Sequence, residues 1–284
     1  MSTGNIIEQI KARPSSDGDG VKLLRVFGGT QLERFDPFLL LDEFGSEEAS
    51  DYVGGFPSHP HRGFATITYM LEGKMEHRDH MNNIGLLNDG GVQWMSAGKG
   101  VIHSEMPQQT EGKMRGFQLW LNLPADEKML AANYEDVPAG KIPTTIQNGL
   151  EIKAIAGKSR INGKEVSGYL HIPRTEPVYL DLCLHAETDI TISVSTKHNA
   201  MIYIYGGDVT IGDQHQQAPS QTINRLAHDG SVTIKNNTSQ GARLLFLAGI
   251  PIEEPIAQYG PFVMNTMEEL DQALKDYREG VLTT

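Results

Sequence analysis

Cysteine is nearly absent from this chain of 284 residues: Cys183 stands alone, which excludes an intramolecular disulfide. Its setting, Val178-Tyr179-Leu180-Asp181-Leu182-Cys183-Leu184, reads as a strand, and the thiol as a small buried apolar group. Long apolar runs are missing too. None can span a bilayer, and Met1 to Gly20 lacks the apolar core of a secretory leader, so a soluble, cytoplasmic protein is expected. Cations are few, 24 Lys and Arg against 36 Asp and Glu, giving a formal charge of −12. That balance argues against direct nucleic-acid binding, which needs clustered cations to displace counterions, and against docking on an anionic membrane surface. Helical periodicity is absent between the strand-like segments, which argues against a βαβ fold.

Glycine, in contrast, is abundant at 30 residues, as many turns between short strands require. A first strand is expected over Ile6–Ala12 and a second over Val21–Phe27, joined as a hairpin through Ser15–Gly20. The run Phe35–Phe44 is apolar and Pro37 blocks a helix at its start; Asp42 and Glu43 read as solvated residues at a strand end, with a substrate-facing role the alternative. Phe64–Leu71 and Met75–His80 are strands about a tight turn at Glu72-Gly73-Lys74, and Asn88–Gly91 turns into Val92–Met95. This order predicts an all-β, antiparallel barrel or sandwich. Residues 124–134 read as a short helix or loop, a plausible linker. The second half repeats the rhythm: laying Gly207 on Gly73 shifts the numbering by 207 − 73 = 134 and sets Ser193 and Ser195 where His59 and His61 stand. Two domains follow, residues 1–133 and 134–284, the first with potential ligands and the second without. A C-terminal helix is expected over 266–277, opened by the capping box Thr266 to Glu269.

Residues 55–124 hold most of the chemistry. His59 with His61, and His103 with Glu105, are each spaced i, i+2, which on a strand points both side chains to one face. Two such strands facing each other aim three imidazoles and a carboxylate at one point, a metal site. His77 and His80 read as surface residues of a hairpin, the alternative being a contact behind the metal's ligands; His171, His185, His198, His215 and His228, without partners at ligand spacing, read as structural or exposed. The donor set suits Fe(II), Mn(II), Co(II), Ni(II) or Zn(II). A structural zinc site would normally use several cysteines, and this chain has one. Iron(II) with open positions can hold a chelating substrate and activate dioxygen.

Phe35–Phe44, His59-Pro60-His61-Arg62-Gly63-Phe64, Gln93-Trp94-Met95-x-Ala97-Gly98-x-Gly100, His103–Pro107 and Gln258–Asn265 together resemble the pirin family of the cupin superfamily. The likeness runs from about residue 20 to the end. It implies a bicupin: two antiparallel, jelly-roll-like β-barrels packed face to face, with iron in the N-terminal one. The family's ligands map onto His59, His61, His103 and Glu105. The general cupin pattern places a glutamate ligand where this chain has Ala65, so Glu105 is the fourth ligand expected.

The family implies two kinds of activity. One is a quercetin 2,3-dioxygenase, which opens a flavonol ring with dioxygen and releases carbon monoxide. Glu105 is then a catalytic base for the 3-hydroxyl, provided it loosens from the metal, and Phe44, Phe56 and Gln118 line the substrate pocket. The alternative is a non-enzymatic, redox-sensing regulator that uses iron to gate contact with a transcription factor or metabolic enzyme; the acidic charge suits a protein partner better than DNA. A zinc hydrolase is a third reading, and would require a metal-bound water and a general base.

Overall fold

The structure is a computed structural model that describes residues 4–29, 32–227 and 229–284. It is built of antiparallel strands, with one α-helix among the described residues, Met267–Arg278. No described helix is long and apolar enough to cross a membrane. The chain forms two compact units, Arg13–Gly140 with Ile252–Thr284, and Lys141–Pro251 with the N-terminal residues through Ala12.

The first unit contains a seven-stranded and a four-stranded sheet. In the larger sheet, Phe64–Glu72 and Met114–Asn122 pair centrally, with Gln118 opposite Thr68. Phe38–Ser46 lies on the other side of Met114–Asn122, with Gln118 opposite Asp42. The four-stranded sheet runs Phe56–His61, Val101–Pro107, Met75–Asp79, Ile84–Leu87. Alternation is clear in Val101–Pro107, where Val101, His103 and Glu105 are buried and the residues between them are half-buried. Of the short helix or loop expected here, residues 125–130 form the loop, a run of turns, and Lys128 within it is 1% exposed.

The second unit is also two antiparallel sheets, of seven and six strands. Its interior is filled by aliphatic side chains, among them Ile152, Leu180, Leu182, Ile202, Ile204, Leu244 and Phe246.

The ends of the chain depart from the division expected at 133/134. Ile6–Lys11 pairs with Thr222–Leu226, not with Val21–Phe27, whose hairpin partner is Arg13–Asp17. The edge of Thr222–Leu226 offers unpaired backbone groups that the N-terminal strand satisfies. At the other end, Phe262, Met264, Leu270, Ala273 and Leu282 form an apolar cluster against Ile102 of the first unit. Arg62 N donates to Pro261 O at 3.2 Å, and Val263 N returns a bond to Arg62 O at 3.0 Å. The terminal helix therefore belongs with the N-terminal unit. It carries the expected capping box, with Thr266 and Glu269 satisfying each other's backbone N–H groups.

Candidate metal centre

Three of the expected ligands come together. His103 stands directly opposite His59 across the antiparallel pair Val101–Pro107 and Phe56–His61, with Val101 opposite His61. One nitrogen from each of His59, His61 and His103 lies within 4.8 Å of the others, about twice a ~2.1 Å metal–nitrogen bond. No other group of three or more His, Cys, Asp or Glu among the described residues is placed to hold a metal ion.

The ring nitrogens are poised for a cation. His59 Nδ1 meets the Pro57 carbonyl at 2.8 Å, which leaves its Nε2 as the free acceptor. His61 Nδ1 and His103 Nε2 are buried without hydrogen-bond partners, a costly state for polar atoms unless a ligand takes them. Burial pushes the His61 and His103 imidazoles well below their ordinary pKa, and the neighbouring histidines push in the same direction. Neutral imidazoles with free lone pairs are what a transition metal requires. The His61 ring is fixed edge-on by Phe64 and Trp120, at centroid distances of 5.0 and 5.6 Å. The residues therefore fit a metal.

Glu105 is placed differently. The register between its strand and Phe56–His61 shifts after His103, so Glu105 faces Phe56. The extra residue of this bulge lies in Phe56–His61, so Glu105 keeps the buried strand face of His103, yet it is not part of the three-histidine cluster. The residue is 4% exposed and accepts a hydrogen bond from Gln118 Nε2 at 3.3 Å. Thr68 Oγ1 donates to Gln118 Oε1 at 2.5 Å, which sets the amide with its NH₂ toward the carboxylate.

His59, His61, Glu105 and Gln118 open on one cavity of about 760 Å³, within the range of small-molecule sites. Phe44, Phe56, His59, His61, Glu105 and Gln118 line it, together with Leu23, Met75 and Trp120. The rings of Phe44 and Phe56 meet edge to face at 6.3 Å. Asp42 also lines the cavity and is not solvated as expected: it is 4% exposed and receives Arg25 Nε and Nη2 at 3.0 and 2.8 Å. Burial raises the Asp42 carboxyl pKa, and Arg25 opposes that rise. Glu43, on the other face of the same strand, is 8% exposed and paired with Arg115. Both arginines sit on neighbouring strands far away in the sequence, so adjacent residues do not reveal the pairs.

His77 is a correction of a different kind. It is 1% exposed, its Nδ1 lies 3.3 Å from His103 Nδ1, and its ring stacks on Tyr134 at 4.5 Å. The i, i+2 rule that selects His59 and His61 also sets His77 and Asp79 on one strand face, and that signal points inward. His80 is exposed, as are His171, His185 and His215, whereas His198 is buried and His228 lies outside the described residues.

Comparison with known proteins agrees with this architecture. The Pirin family model matches residues 20–121, and the model of the pirin C-terminal cupin domain matches residues 179–283. A Pseudomonas aeruginosa protein named provisionally as a quercetin 2,3-dioxygenase is 49% identical over 280 residues, covering 98% of each chain. A Caulobacter vibrioides pirin-like protein is 44% identical over 281 residues, covering 99% of each. Among solved structures, quercetin 2,3-dioxygenase from Acinetobacter baumannii superposes with a TM-score of 0.89 at 29% identity, covering 100% of this chain and 99% of that one. With its two cupin domains and its terminal helix, the chain belongs to the pirin family.

Proposed function

We propose that this protein is an iron(II)-dependent dioxygenase that opens the ring of a flavonol such as quercetin and releases carbon monoxide. The observation that carries the reading is the three-histidine cluster, two of whose members, His59 and His61, line a cavity of about 760 Å³ together with Glu105, a carboxylate outside the cluster. His59, His61 and His103 would hold the metal, and bound iron would supply a site for the substrate's enolate oxygen and for activating dioxygen. The histidine donors also suit Mn(II), Co(II), Ni(II) or Zn(II); iron is assigned because the reaction needs dioxygen chemistry.

The protein's own groups divide the remaining work. Phe44, Phe56, Leu23 and Met75 offer an apolar wall for the aromatic rings and exclude water from it. Arg25 and Asp42, bound to each other, make a polar end suited to a hydroxylated ring. Glu105 takes the proton of the 3-hydroxyl. With Oε1 engaged by Gln118, Oε2 is the oxygen left to receive it. Because Glu105 stands apart from the histidine cluster, the base need not first leave a metal.

The test is oxygen uptake by protein loaded anaerobically with iron(II), on addition of quercetin, with His103→Ala as control. Uptake matched by flavonol loss, and absent from the variant, supports the assignment. No uptake by protein shown to hold iron would overturn it in favour of the regulatory reading, in which the iron gates a protein contact.

A further inference from the structure

The four-stranded sheet carries a second line of buried polar groups behind the histidine cluster. His103, His77 and Asp79 follow one another: His103 Nδ1 is 3.3 Å from His77 Nδ1, and His77 Nε2, buried without a hydrogen-bond partner, is 3.6 Å from Asp79 Oδ2, an ion-pair distance and not a hydrogen bond. The side chains of His77 and Asp79 are 1% and 0% exposed, so water does not compete for these contacts. Asp79 is itself anchored. Its Oδ1 accepts the backbone N–H groups of Met81 and Asn83 at 2.9 and 3.0 Å, and its Oδ2 accepts Asn83 Nδ2 at 2.8 Å. Tyr134 covers the His77 ring, with an interplanar angle of 24°. The tyrosine is in turn locked, donating to Asp136 Oδ2 at 2.5 Å and receiving Gln93 Nε2 at 3.2 Å.

Proton arithmetic gives this line a direction. The Nε2 of His103 is the atom buried without a partner, and a nitrogen that binds a metal carries no proton. The neutral imidazole then carries its proton on Nδ1, which must be the donor in the contact with His77. His77 Nδ1 must be the acceptor, so the proton of His77 sits on Nε2 and faces the Asp79 carboxylate. A carboxylate at the end of the line selects this arrangement over its reverse, because it accepts and does not donate. We propose that His77 and Asp79 are positioning residues that fix the tautomer and ring orientation of His103 and strengthen it as a metal donor. The proposal deepens the metal-site reading above and rests on it.

The test is the metal affinity of the purified full-length protein for Co(II), by competition with a chromophoric chelator, together with the visible ligand-field bands of the bound ion. His77→Phe keeps a ring against Tyr134 and removes the acceptor. Outer-shell partners of this type change metal affinity by about 10–100-fold, and a loss in that range is expected, with shifted cobalt bands. His77→Gln restores an acceptor and is expected to bind within about threefold of the native protein. Asp79→Asn turns a donor toward His77 and favours the reversed tautomer; it is expected to weaken binding by about tenfold.

Unchanged affinity in His77→Phe, or an equal loss in His77→Gln, would overturn the proposal. If His77→Phe does not fold, judged by thermal unfolding of metal-free protein, the Asp79→Asn and His77→Gln pair decides: native-like affinity in Asp79→Asn rejects the proposal. A native protein that binds no Co(II), Fe(II) or Ni(II) at all would instead reject the underlying metal site, a separate result.

Discussion

Arg62 Nη1 lies 2.7 Å from Asp276 Oδ2, so the residue that follows His61 is tied to the C-terminal helix. The same guanidinium donates to the Lys99 carbonyl and, at 3.2 Å, to that of Leu282. The hydrogen bond from Arg62 is the largest cause holding the Asp276 carboxyl below its ordinary pKa. The Arg62 side chain is 4% exposed and that of Asp276 20%, so the pair is neither a screened surface contact nor a fully buried one. Arg62→Ala is expected to cost about 3 kcal/mol, because it leaves two carbonyls and an acid without their donor. Asp276→Asn should cost about 1 kcal/mol. Urea unfolding checks both; equal losses would show that the ion pair, not the buried guanidinium, is what matters.

Lys128 gives a pH dependence with a definite sign. Its Nζ donates to Gly63 O at 2.7 Å, Asn122 Oδ1 at 2.6 Å and Val263 O at 3.0 Å, with no carboxylate among these partners. Burial lowers the ammonium from its ordinary 10.5 to about 7, partly opposed by Glu254 and Glu269. Between these values the unfolded chain holds a proton that the folded chain has released, so stability rises with pH through that window. Below it both states are protonated and the slope vanishes. The stability of the native protein relative to Lys128→Met is therefore expected to rise from pH 7 to pH 9 by up to about 1.4 kcal/mol per unit. Denaturant titrations of both proteins at several pH values measure the difference. A flat difference would mean that the carbonyl cage holds the full charge.

Gly63 marks the closest approach of the same two segments. Its φ is 86°, and a Cβ built on it would stand 1.9 Å from the Val263 carbonyl oxygen. Gly63→Ala is expected to destabilise by about 2–4 kcal/mol through left-handed strain and displacement of the Val263 strand. Since His61 is two residues away, Co(II) affinity should fall as well. Unfolding and metal titration on one preparation would separate the effects, and a native-like midpoint would refute the argument.

What the sequence discloses here depends on how local each signal is. His59, His61 and His103 are legible because ligand spacing on a strand is a two-residue pattern and the facing strands lie within one sheet. The capping box at Thr266 is equally local. The partners of Asp42 and Glu43 are not, since cross-strand pairing alone brings Arg25 and Arg115 to them. Lys128 contradicts its residue type, which is almost never buried; its three acceptors explain it, and two of them, Gly63 and Val263, are distant in the sequence. The pairing of Ile6–Lys11 with Thr222–Leu226 is set by which sheet edge remains open, a property of the finished fold. His77 was within reach of the spacing rule, but its charged neighbours Glu76 and Arg78 point outward and make the strand read as surface. Those two bond to each other, Arg78 Nε to Glu76 Oε1 at 2.6 Å.

Glu105→Gln separates the two roles that the sequence assigns to one residue. As a metal ligand Glu105 would need its carboxylate at the histidine cluster. It stands instead opposite Phe56, with Oε1 3.3 Å from Gln118 Nε2 and outside the three-histidine cluster. If the three imidazoles hold the ion without it, the glutamine variant should retain Co(II) affinity within about tenfold of native, whereas His103→Ala should lose it. As a base, however, Glu105 is the carboxylate hydrogen-bonded to Gln118, whereas Gln118 and Thr68 are neutral and Asp42, also in the cavity lining, is engaged by Arg25. Flavonol-dependent oxygen uptake should therefore fall by about 10²–10⁴-fold in Glu105→Gln, the range for loss of a general base. Metal loss in parallel with activity would return Glu105 to the ligand set and leave the proton without a named acceptor.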